Sequence, residues 1–221
     1  MKRCGRWLVA CCVGISTSSG CASYRASRLP ASAAESLRST VRQGDLVIGM
    51  EQWYSSAQSR LYFDTDLTKR GLAPVYVAVT NQGSSPARVK VNNIRLIASP
   101  LDTPASPVPF DEVVERMRRK AVGPAIVWGA LGLATLFFAL IFTPMGSAMA
   151  ISQTASVNDH VKADVWNKSF KDTELAEGQE ARGVVFFDIP QEIKKLEKPC
   201  LLCPVTFDGQ PLPITLEVCL T

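Results

Sequence analysis

The 221-residue chain contains a single histidine, His160. Zinc centres built on imidazole and a Ser-His-Asp triad within one chain therefore have almost no raw material. No GxSxG elbow, phosphate-binding glycine loop or HExxH helix occurs. A basic surplus is missing too. There are 24 Lys and Arg against 20 Asp and Glu, and Lys2, Arg3 and Arg6 fall in a segment that reads as a removable leader. Without them the balance is 21 to 20, unlike that of a nucleic-acid binder. His160 lies in the polar run Asn158-Asp159-His160, where a solvated helix residue is expected. No catalytic residue, cofactor or metal site is expected.

What is present is the composition of a folded chain: 47 % apolar residues, 20 % charged and four Trp, enough to bury a real core. The length suits one domain with appendages, or two small ones. Residues 1–20 have the three parts of a secretory leader. Lys2, Arg3 and Arg6 are followed by the nine apolar residues Trp7 to Ile15 and then by small residues up to Cys21. Nine residues make about 14 Å of helix, too short to span a membrane.

This N-terminus resembles that of a bacterial lipoprotein precursor. In that family a small residue precedes a Cys that is acylated and becomes the mature N-terminus. Gly20-Cys21 fits with Ser19 before it, and Ser18 stands where Leu is usual. The resemblance implies acylation of Cys21 and attachment to membrane lipid. Ala22-Ser23 lacks the Asp that favours the inner membrane, which implies the outer membrane, facing the periplasm or the surface. The alternatives are an inner-membrane location, or ordinary cleavage and a soluble secreted product. Residues 21–43 read as a lipidated tether, disordered apart from a short helix around Ala33 to Val41.

From Gly44 the pattern is that of short strands. Seven candidates emerge, at Asp45–Tyr54, Arg60–Phe63, Ala73–Thr80, Ala87–Ala98, Arg182–Ile189, Leu201–Phe207 and Leu212–Leu220. Val75, Val77 and Val79 share one face. Asn92-Asn93 marks a phase shift in the fourth candidate and suggests a bulge. Asp208-Gly209 signals a hairpin. Two stretches, Pro74-Val75-Tyr76-Val77-Ala78-Val79-Thr80-Asn81 and Leu175 to Pro190 (LAEGQEARGVVFFDIP), resemble Ig-like domains of bacterial surface lipoproteins. The resemblance implies a mainly β fold, an Ig-like antiparallel sandwich of about seven strands, discontinuous over 44–110 and 168–221.

Between the strand blocks, residues 111–167 read as an inserted hydrophobic helical hairpin. Asp111 to Lys120 has the acidic start and basic end of a helix. Ala121 to Val157 then contains no charged residue, and Ala125–Phe142 gives 18 almost wholly apolar positions, about 27 Å of helix. A buried core helix, a single membrane span and a hairpin reversing at Thr143-Pro144-Met145-Gly146 all fit. The hairpin is favoured because it returns the chain to its starting side. Trp128, Phe137, Phe138 and Phe142 are the candidate membrane or partner contacts. Arg116, Arg118, Arg119 and Lys120 at the base are candidates for lipid phosphates or for a solvated helix end.

Cys200-Leu201-Leu202-Cys203 is the one chemically suggestive motif, and Pro199 and Pro204 bracket it where a redox pair would begin a helix. In an oxidising envelope a structural disulfide is expected instead. A two-residue turn at Asp208-Gly209 sets Cys200 opposite Glu217 and diagonal to Cys219, so a Cys200–Cys219 bridge requires a bulge or shift, with Cys203 left buried or free. Asp64-Thr65-Asp66 reads as a turn, and Glu174, Glu177 and Glu180 as a solvated loop. The expectation is a non-enzymatic cell-envelope binding or scaffolding module whose partner protein the sequence does not identify. Its alternatives are a single-pass inner-membrane protein with a periplasmic domain and a thiol-redox protein using Cys200 and Cys203.

Overall fold

A computed structural model describes residues 24–118, 155–193, 195–208 and 212–220. The described residues are mainly β, in two antiparallel sheets. The chain runs β1 (Ser39–Gln43), β2 (Leu46–Gln52), α1 (Ser56–Phe63), β3 (Leu72–Asn81), β4 (Ala87–Val89), β5 (Arg95–Ser99) and α2 (Phe110–Met117). It resumes with a helix over 155–168, here α3, followed by β6 (Thr173–Leu175), β7 (Glu180–Asp188), β8 (Glu197–Phe207) and β9 (Ile214–Cys219). The first sheet has the order β1-β2-β3-β7. In the second, β8 pairs with β5 and β4 along one edge and β9 along the other, and β6 lies outside β4.

Alternation along the strands of the first sheet sorts its side chains onto two cores. Leu46, Ile48 and Met50 of β2, Val75, Val77 and Val79 of β3, and Val185 and Phe187 of β7 share a core with Leu96, Leu201, Val205 and Val218 of the second sheet. The intervening residues Val47, Tyr76, Ala78, Val184 and Phe186 face the opposite way. There they meet a helical layer: Phe63 of α1, Val113, Val114 and Met117 of α2, and Val157, Val161 and Val165 of α3. The i,i+4 spacing of the α3 valines places them on one stripe. The first sheet is therefore buried on both faces, which explains why β3 is apolar almost throughout.

Several expectations are corrected. Nine strands are described where about seven were expected. Residues 24–43, expected as a tether, include β1 and the fully buried Ala34, and Leu37 is buried as well. The candidate strand Arg60–Phe63 is the end of α1: the Ser55 hydroxyl accepts from the Gln58 N–H, and Asp64 closes the helix in the left-handed region at φ 52°. Ala87–Ala98 is two strands on one edge of β8. The register passes from Val89↔Val205 to Arg95↔Leu202, and the surplus residues form a 3-10 turn at Val91–Asn93. The ends of segment 111–167, expected as a unit apart from the sheets, are α2 and α3, docked on the first sheet.

Candidate functional site

Strands from either side of the 121–157 stretch pair with one another, β3 with β7 and β4 with both β6 and β8. A chain crossing a membrane once between the two blocks would not form these pairs. Among the described residues no helix is long and apolar enough to cross a membrane. Cys21, Arg119, Lys120, Trp128, Phe137, Phe138 and Phe142 lie outside the described residues.

The described chain begins on the helical layer. The Tyr24 hydroxyl donates to Asp164 Oδ2 of α3 at 2.6 Å, and the Arg25 N–H donates to Asp64 Oδ2 at 3.1 Å. The Ser27 N–H then donates to the Leu61 carbonyl, and the Tyr76 hydroxyl to the Pro30 carbonyl. Behind Asp164 sits Lys168, only 5 % exposed. Its ammonium donates to Asp164 Oδ2 and to the Tyr62 carbonyl, both at 2.6 Å, and lies 5.5 Å from the centre of the Phe63 ring. Burial pushes the Lys168 pKa down, and the Asp164 carboxylate opposes that shift. This clasp was missed in the sequence, although Asp164 and Lys168 are an i,i+4 pair.

Trp166, on the other flank of α3, is 51 % exposed. Phe110 meets it edge-on at 5.1 Å, and the Lys171 ammonium lies 4.2 Å from its ring centre. Phe110, Trp166 and Ala163 line an open groove with Asp159, Lys162 and Asn167. His160 is exposed on the same helix.

The two described residues of the basic base of the insertion, Arg116 and Arg118, are engaged within the protein. Arg116 pairs with Glu112, lies 2.6 Å from Asp188 Oδ1 and donates to the Gly71 carbonyl. The Asp188 hydrogen bond holds its guanidinium pKa above the usual value. Arg118 pairs with Glu115 at 2.9 Å. Glu174, expected in a solvated loop, lies in β6 beside Arg88, whose hydrogen bond lowers its pKa. Asp66 accepts from Ser56 and Thr68 hydroxyls, which pull its pKa down against burial, so it serves the turn around it.

The structure joins Cys200 to Cys219, directly opposed across β8 and β9. The register is two residues away from that of a turn at Asp208-Gly209, so Glu217 faces Leu202 rather than Cys200. Cys203 points into the core shared by the two sheets, and burial pushes its thiol pKa up to about 12. Cys200 and Cys203 thus form no redox pair. Glu217 lies beside the two bonded sulfurs, but with both in the S–S bond no thiolate is left to coordinate a metal there.

No protein-family model, curated protein or solved structure matches the chain.

Proposed function

We propose that this chain is a lipid-anchored cell-envelope protein, non-enzymatic, whose two sheets form an Ig-like sandwich that binds or scaffolds at the outer membrane. The observation that carries the reading is the position of Tyr24. Three residues after the acylation candidate Cys21, the chain is hydrogen-bonded to α3. An acyl group on Cys21 would hold the folded domain directly at the bilayer. The Ig-like part is supported by the way the two resembling stretches meet. Val75 to Thr80 pair with Val185 to Glu180, and the buried Asn81 side chain donates to the Ser85 and Leu175 carbonyls.

The test is separation of inner and outer membranes on a density gradient for the wild type and Cys21→Ala. Wild type in the outer fraction, with the variant released, is the expected result. Wild type in the inner fraction would contradict the outer-membrane assignment. A Cys21→Ala protein that stays bound would show that acylation is not what holds the chain, and would move the anchor to the 121–157 segment.

A further inference from the structure

We infer that the helical layer on the first sheet is the face turned to the bilayer, with Trp166, Phe110, Lys162 and Lys171 lying against phospholipid headgroups. The inference rests on the lipid-anchored reading above and adds an orientation to it. Its first support is reach. Tyr24 is three positions after Cys21, so an acylated Cys21 lies within about 10 Å of chain from a residue bonded to α3. Asp164 and Trp166 are two positions apart on that helix, about 200° around its axis. The N-terminal strand of chain and the Trp166 groove therefore flank α3 on either side, separated by about a helix diameter of 10 Å. A bilayer surface close enough to receive the acyl chains then lies over both.

The second support is the chain leading away from the layer. The described chain leaves this layer at Arg118, directly after α2, and rejoins it in α3, whose first residues are the end of the charge-free stretch 121–157. The third is chemistry. A half-exposed indole, with a second aromatic ring at its edge and an ammonium over its face, suits a boundary that is apolar on one side and wet on the other. The groove carries one ammonium and one carboxylate, Lys162 and Asp159, and the Lys171 ammonium stands beside it over the Trp166 ring. The outer face of the second sheet, with Arg88, Glu174 and Asp208 joined in ion pairs, would point away from the membrane.

The test uses the full acylated chain in vesicles of phosphatidylethanolamine and phosphatidylglycerol carrying brominated acyl chains, which quench nearby tryptophan. Trp128→Phe removes the tryptophan of the charge-free stretch, and Trp53, buried in the core, is an internal reference. The Trp166 emission is obtained by difference with Trp166→Phe. A Thr206→Trp substitution in that background places a probe on the exposed face of the second sheet. Vesicle flotation with quenching of Trp166, and none of the Thr206→Trp probe, is the expected result. Flotation with Trp166 unquenched, or with both probes quenched alike, overturns the orientation and leaves the lipid anchor standing. A chain that does not float with the vesicles overturns the anchored reading and the orientation with it.

Discussion

Lys168 shows how a charge is held inside this fold. Its ammonium sits between the Asp164 carboxylate and the Tyr62 carbonyl, and Tyr24 donates to the same carboxylate oxygen. Asp164→Ala leaves that ammonium buried without its counter-ion and should cost about 3 kcal/mol, read by chemical denaturation. Tyr24→Phe removes one hydrogen bond to a charged acceptor. It should cost about 1.5 kcal/mol and expose residues 24–33 to protease before global unfolding. Cys203 gives a pH signature. Its folded pKa, pushed from an ordinary value of 9.0 to about 12, is raised above that of the unfolded chain. The stability it contributes is full below about pH 9 and lost as pH rises from there toward 12. Lys168, with its lowered pKa, works in the opposite sense over the alkaline range. The check is therefore a comparison of thermal midpoints across pH 7 to about 11: Cys203→Ala should show a shallower alkaline decline than the wild type.

At the scale of elements, much was legible where a side-chain period was clean. β3 and β7 were readable because the three valines of Val75 to Val79 and the run Val184 to Phe187 leave few alternatives to a strand. Arg60–Phe63 misled because four residues cannot separate the two periods. The deciding signal was the Ser55 cap before them and the left-handed Asp64 after. The β8–β9 register was lost for a similar reason. Asp208-Gly209 announces a reversal, but the pairing is offset by two positions from the one that turn would set, which puts Cys200 opposite Cys219. Replacing both cysteines by Ser should cost about 3 kcal/mol for a bridge across a sequence separation of 19, measured by urea unfolding. β1 and the turn before it were hidden in a segment rich in Ala, Ser and Arg, because their burial depends on a neighbour. Gly49 of β2 is where that turn presses closest: an added Cβ would overlap the Ala34 carbonyl oxygen and lie 3.0 Å from Leu37 Cβ. Gly49→Ala should therefore destabilise by about 2 kcal/mol despite the usual gain from replacing glycine in a strand.

At the scale of the molecule, the described residues form three layers, with the first sheet in the middle and the helices over its outer face. The sequence could mark the 111–167 insertion by its charge pattern, yet not that α2 and α3 would complete a second core. Val113 and Met117 on one helix, and Val157, Val161 and Val165 on the other, look like modest amphipathic stripes until a sheet with two apolar faces is set beneath them. Of the candidate contacts, Arg116 and Arg118 proved to be paired within the fold, and Trp166 came to notice only through its packing on Phe110. Replacing residues 121–154 by a short Gly/Ser linker keeps both helices. It should leave one cooperative thermal transition and a protein that needs less detergent. Loss of cooperativity would make that stretch part of the core.

The most direct measurement is intact-mass and N-terminal peptide mass spectrometry of the protein purified from cell membranes. The account expects a chain that begins at Cys21 and carries diacylglyceryl and acyl groups on that residue. A chain that begins elsewhere, or an unmodified Cys21, would contradict the lipid anchor on which the proposed function rests.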